Sequence, residues 1–278
     1  MSSAAPAARA NRAGRNLPVA IAVGVALAAL VLGTLYTVQE FFVALVVLAV
    51  VVAAHELCGV LRRRQIHVPL TPLVAGSAVM LISAYADGMD ALTVALGLTL
   101  AAVAASRFAM PGSNLLLRDL AVGSYVVVYL PLLASFAMVM LAASDGPDRL
   151  VVFILAVALS DTGGYAAGVL FGRHKLAPRV SPAKSWEGLG GSLVMTIVGT
   201  AVSVPLLLDG AWWQGALIGA AVVVTATLGD LGESLLKRDL GVKDMGSLLP
   251  EHGGVMDRLD SLLPTAPVVA LLLAATIG

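Results

Sequence analysis

The residues best equipped for chemistry lie in one stretch near the C-terminal end, residues 230–260, DLGESLLKRDLGVKDMGSLLPEHGGVMDRLD. It holds eleven of the chain's 34 Asp, Glu, Lys and Arg residues in about a ninth of its length. If the preceding apolar run continues as a helix, Asp230, Glu233 or Ser234, Lys237 and Arg238 fall at i, i+3 or i+4, i+7 and i+8, stacked on one face. Beyond them, Lys243 and Asp244 follow a glycine. His252 precedes Gly253 and Gly254, which allow a backbone to approach a ligand closely. Asp257 and Asp260 share a face if helical, and carboxylates so placed repel unless a cation bridges them, which makes them candidate magnesium ligands. Taken singly, each of these residues, His252 above all, reads as a solvated loop charge, and Lys237 and Arg238 suit a snorkelling helix end. Taken together they suit a phosphate and its metals.

Asp161 extends the set. It lies about twelve residues into an apolar run, about 18 Å deep at ~1.5 Å per residue. A carboxylate at that depth costs several kcal/mol unless it is paired, solvated or metal-bound. Its setting, SDTGGYAAGVLFG, is rich in small residues that let helices approach or a polar cavity open. The plain alternative is a lone acid bonded to a neighbouring helix.

These groups must be positioned by helices in a membrane. The chain has 278 residues, is 59% hydrophobic and only 12% charged, where a soluble domain carries roughly 25% charged residues. Several apolar runs reach the roughly 20 residues that a crossing helix requires. Continuous runs exclude a lipid-facing barrel, whose strands alternate. The fold class expected is therefore an all-α, polytopic integral membrane protein. Nine spans are placed at about 17–38, 40–61, 68–86, 90–106, 119–142, 149–170, 188–208, 212–236 and 261–278. Residues 1–16 form an Ala-rich basic tail, expected to be disordered and cytoplasmic. The run after it is too long for a signal peptide and reads as a retained first span. Residues 17–142 then make an N-terminal set of five helices, and 149–278 a catalytic set of four with cytoplasmic loops 171–187 and 237–260.

Charge placement supports that count. With the N-terminus cytoplasmic and the C-terminus outside, sixteen of the 17 Lys and Arg residues fall on the inner side and only Arg149 on the outer, in keeping with the positive-inside rule. Trp212 and Trp213 suit an outer interfacial belt. Formal net charge is zero, so bulk charge points to no partner, and no nucleic acid is expected. The single Cys58 excludes an intrachain disulfide and a CxxC metal site. Gly and Ala faces are compatible with a homodimer and equally with packing inside one chain. Abundant Ala, Val and Gly, with Arg over Lys, point to a bacterium with a GC-rich genome and hence to its plasma membrane.

The spacing carries a resemblance. Ser234, Lys237-Arg238, Lys243-Asp244, Pro250-Glu251-His252-Gly253-Gly254 and Asp257-Arg258-Leu259-Asp260 resemble the signature of the phosphatidate cytidylyltransferase (CDP-diacylglycerol synthase) family, filled at every fixed position. Asp161, Gly164-Tyr165 and Gly168, then Phe171-Gly172-Arg173, then Ser181-Pro182, Lys184 and Trp186-Glu187-Gly188 are similar to two further segments of the family. Gly164 departs from the expected Ala, a change conservative in size. The resemblance is close over about 160–260; the first five spans match only in hydrophobicity.

The resemblance implies transfer of the cytidylyl group of CTP to phosphatidate, giving CDP-diacylglycerol and pyrophosphate, with Mg2+ and room for a second cation. The implied metal ligands are Asp230, Asp257 and Asp260, with Asp161 next. Lys237, Arg238, Lys243 and Arg258 would bind phosphates, and Lys184 and Arg173 would reach in from the other inner loop. Asp244 and His252 would orient these groups or touch nucleotide, Ser234 would bond a phosphate, and Gly253 and Gly254 would allow close approach. Two rivals come from other classes. An ion-coupled transporter would use Asp161 and Asp230 as relays, but it gives no reason for the clustered loop and no internal repeat is evident. A CTP-using lipid kinase shares the substrate chemistry and differs in product.

Overall fold

The computed structural model describes residues 17–110, 115–246, 248 and 253–277, with side chains from residue 24 onward. The tail at 1–16 and His252, both assigned above, lie outside the described residues. Among the described residues ten α-helices run in order: α1 Leu17–Thr37, α2 Gln39–Arg63, α3 Leu70–Ala109, α4 Leu116–Val127, α5 Leu133–Leu141, α6 Gly146–Phe171, α7 Trp186–Leu208, α8 Trp212–Leu240, α9 Met256–Leu259 and α10 Leu262–Thr276. Among the described residues one short antiparallel ribbon, β1 Lys175–Ala177 with β2 Ser181–Ser185, departs from the all-α expectation.

Among the described residues seven helices are long and apolar enough to cross a membrane. Leu98, Val194, Leu206 and Leu271 are exposed on their outer faces, as lipid-facing side chains are, whereas a soluble monomer rarely shows such patches. The 40-residue α3 is two helices that meet at a kink. Gly88, at φ 73° and ψ −150°, breaks it in a backbone region that other residues rarely adopt. The break falls between the two runs that the sequence separates at 86 and 90.

Between α4 and α5 the helix widens into a π turn at Val128–Leu132, centred before Pro131. Proline has no N–H to give the ladder, and a wider turn absorbs that loss.

Large apolar side chains from α2, α3, α5 and α10, such as Leu57, Leu81, Met138 and Leu273, form the buried core. The α6–α7 contact is built differently. A β-carbon on Gly163 would stand 2.6 Å from the Gly191 carbonyl oxygen, so the two backbones touch. Ser192, Thr196 and Thr200 continue this buried face along α7, and Ser192 Oγ donates to the Ser160 carbonyl at 2.6 Å. Small residues and interhelical hydroxyl bonds are how helices associate where apolar burial gives no advantage over lipid.

Polar ties mark the two ends of the bundle. At one end Arg64 Nε donates to the Leu240 carbonyl at 2.8 Å, and Arg107 pairs with buried Asp119 at 2.9 Å. At the other, Tyr36 donates to Asp148 at 2.6 Å, and Gln214 reaches the Thr276 carbonyl. The ribbon and the described parts of 241–260 lie at the first end.

Candidate active site

Asp161 and Asp230 each lie ten residues before the end of their helices, α6 and α8, or about 15 Å in from those ends. The ribbon after α6 brings a cation to them. Two strands this short are marginal alone, and three contacts hold them. Glu187 accepts from the backbone N–H groups of Arg173 at 3.1 Å and His174 at 3.2 Å, and its Oε1 lies 2.6 Å from His174 Nδ1. Arg238 Nε donates to the Val180 carbonyl at the ribbon's tip at 2.6 Å. Lys184, on β2, forms an ion pair with Asp230.

These elements enclose a cavity of about 490 Å³ lined by Asp161, Lys184, Asp230, Lys237, Asp244, Asp257, Arg258 and Asp260, with Ser160, Tyr165, Ser185, Ser192 and Ser261 among its other walls. The volume lies in the usual range of ligand sites, roughly 300–1,000 Å³. Five of these lining residues are acids and three are bases, so the walls carry a formal excess of negative charge. Such walls suit an anionic ligand only if cations accompany it.

Asp257 organises its own surroundings. Its buried carboxylate accepts from Gly254 N at 2.8 Å and from Met245 N at 3.0 Å, and Lys237 Nζ stands 2.6 Å from Oδ1. It thereby joins the two described limbs of 241–260 to α8. Asp260 accepts from Ser261 N at 2.7 Å.

The other sequence-assigned residues lie around the cavity. Ser234, Arg173, Arg238, Lys243, Gly253 and Gly254 do not line it. Ser234 is half-buried on α8, and Lys243 and Arg238 are exposed. Gly253 has φ +79°, which turns the chain back toward Asp257. The polar segment begins at Gly241, since α8 continues through Lys237 and Arg238 to Leu240.

A family model described as the cytidylyltransferase family matches residues 18–276. The chain belongs to the cytidylyltransferase family. A Mycobacterium leprae protein named phosphatidate cytidylyltransferase is 41% identical over 94% of this chain and 89% of its own length. A Mycobacterium bovis protein of the same name is 38% identical over 96% of this chain and 92% of its own. A Pseudomonas aeruginosa protein, again so named, is 47% identical over 42% of this chain and 44% of its own.

Two acids of this chain carry more than the sequence assigned to them. Glu233, 1% exposed, is held beside the cavity by Lys237, 3.2 Å from its Oε1, and its carboxyl group is a hydrogen-bonding neighbour of Asp260. Its i+3 spacing from Asp230 was the available signal. Glu56, on α2, accepts from Met256 N at 2.9 Å. The acid interrupting an apolar run at Ala54-His55-Glu56-Leu57 was the signal there.

The donor set fits a hard cation in chemistry. Carboxylate oxygens are what magnesium selects, and five acids, Asp161, Asp230, Asp244, Asp257 and Asp260, line one cavity. In the present arrangement, no three His, Cys, Asp or Glu residues among those described close on one ion position. Lys184 and Lys237 instead hold Asp230 and Asp257.

Proposed function

We propose that this chain is a phosphatidate cytidylyltransferase, which transfers the cytidylyl group of CTP to phosphatidate and yields CDP-diacylglycerol and pyrophosphate. The observation that carries the reading is the single cavity on which Asp161, Lys184, Asp230, Lys237, Asp257, Arg258 and Asp260 converge from α6, β2, α8 and the α9–α10 region. A phosphatidate oxygen attacks the α-phosphorus of CTP, the bond from that phosphorus to its bridging oxygen breaks, and pyrophosphate departs in line. The attacking phosphate is already an anion near neutral pH, so the protein contributes positioning and charge neutralisation rather than a strong base.

Magnesium, when bound, would neutralise phosphate oxygens and keep the attacking and leaving oxygens in line. Asp161, Asp230, Asp257 and Asp260 would hold it, and the same carboxylates could share a second cation. Lys184, Lys237 and Arg258 line the cavity and would bind phosphate oxygens. Arg238 and Lys243 would guide the nucleotide from outside it, and Asp244, His252 and Ser234 would orient it. Arg173 would act through the ribbon that carries Lys184.

The finer topology follows from the same reading. α1, α2, the two halves of α3, the α4–α5 helix, α6, α7, α8 and α10 make nine crossings. The N-terminus is cytoplasmic, the C-terminus lies outside, and the membrane is the plasma membrane of a bacterium. This puts the cavity mouth where CTP is found and the head group of phosphatidate beside it.

The test uses the full chain in detergent with CTP, phosphatidate and magnesium. Pyrophosphate release that requires the lipid and stops with EDTA is expected, and release indifferent to phosphatidate contradicts the reading. CDP with a newly phosphorylated lipid would point to a kinase, and substrate flux across sealed vesicles without nucleotide to a transporter.

A further inference from the structure

α2 contributes nothing to the cavity walls, yet it reaches the segment that follows α8 at both ends. Arg64, which closes α2, donates to the carbonyl of Leu240, the last residue of α8. Glu56 accepts, through Oε2, from the amide of Met256, the first residue of α9. The two side chains are eight residues apart, about 12 Å along the helix.

The Glu56 carboxylate is wedged between the two limbs. A β-carbon on Gly246 would collide with Oε1, and one on Gly254 would collide with Oε2. Oε1 is buried there without a hydrogen-bond partner. Packing against both glycines, with the Met256 amide bond, holds the acid in place. The Met256 amide opens the turn that carries Asp257, Arg258 and Asp260. Asp257 laces the limbs together from within, through Met245 N and Gly254 N, and Glu56 fixes them to the N-terminal half.

We propose that Glu56 is a positioning residue for cytidylyl transfer: its carboxylate braces residues 245–246 and 254–256 so that the α9 turn presents Asp257, Arg258 and Asp260 to the cavity. This rests on the cavity being the site of transfer, and the experiment separates the two claims. Glu56→Ala, Glu56→Gln and Glu56→Asp are compared with Asp257→Asn in the full chain in detergent, by turnover and by hydrogen exchange at the Gly254 and Met256 amides.

Glu56→Ala is expected to speed exchange at those amides and to lower kcat by about tenfold or more, because small misplacements near the reacting atoms are costly, while KM for CTP changes little. Glu56→Gln keeps an acceptor for the Met256 amide and should recover most of kcat. Glu56→Asp, one methylene shorter, should not. Unchanged exchange or wild-type kcat in Glu56→Ala overturns the proposal. If Glu56→Ala yields no folded protein, the Gln and Asp variants decide, and equal turnover in the two overturns it. An active Glu56→Ala beside an inactive Asp257→Asn removes only the brace; activity in both removes the cavity as the site.

Discussion

The ammonium of Lys237 stands 2.6 Å from Oδ1 of Asp257, twenty residues further along the chain. The pair ties α8 to the α9 turn and spans the segment that holds most of the signature. Asp257 also takes the Met245 and Gly254 amides, so its charge and its geometry are both in use.

Asp257→Asn keeps a carbonyl acceptor and a near-identical shape but loses the charge. Lys237 retains Glu233 at 3.2 Å, so the fold should survive. Turnover should fall by about 100-fold or more, the scale seen when one preorganised charge-stabilising group is removed. Size-exclusion elution checks the fold, and the lipid-product assay checks turnover.

Lys184 and Asp230 form one ion pair across β2 and α8. Each single alanine variant should lose at least about tenfold in kcat/KM, and the double variant should lose clearly less than the product of the two, as expected for contacting residues. Kinetics of the four proteins in parallel would show independent losses if the two residues act separately.

Arg238 lies outside the cavity and holds the ribbon tip through the Val180 carbonyl. Arg238→Ala should change thermal stability by no more than about 1–2 kcal/mol, while loosening residues 175–185 and reducing turnover through Lys184. Hydrogen exchange of the ribbon measures the first effect and kcat/KM the second.

Gly191 and Gly190 are neighbours on α7 with opposite surroundings. A side chain at 191 would meet Ala167 and the Gly163 carbonyl, and one at 190 would meet open space. Gly191→Val should destabilise the detergent-solubilised protein by about 1–3 kcal/mol or more, with Gly190→Val close to wild type. Thermal unfolding of both variants checks this.

Much of this was legible in the sequence because lipid imposes a simple rule on apolar run length. The helix ends found at Thr37, Leu141, Phe171 and Leu208 lie within a residue or so of the boundaries read from hydropathy. Gly88 breaks α3 between the spans placed at 68–86 and 90–106. The ribbon at 175–185 was not legible. Its strands are short, contain Pro182, and are held from outside by Glu187, Arg238 and Asp230, the partner of Lys184, rather than by strand propensity.

The cavity acids could be named from spacing, because Asp257 and Asp260 are close in sequence and Asp161 is costly where it stands. The part of α2 could not be. Glu56 and Arg64 act on residues about 200 and 176 positions away, and only the packed bundle brings them there.

The most direct measurement follows isotope from CTP into lipid in the presence of phosphatidate and magnesium, with CTP labelled at the α- or the γ-phosphorus and with wild-type protein beside Asp230→Asn. The expected result is that α-label enters the lipid, γ-label leaves as pyrophosphate, and both processes are lost on adding EDTA and in the variant. Label entering lipid from the γ-phosphorus, or full transfer by Asp230→Asn, would contradict the convergence of these carboxylates on cytidylyl transfer.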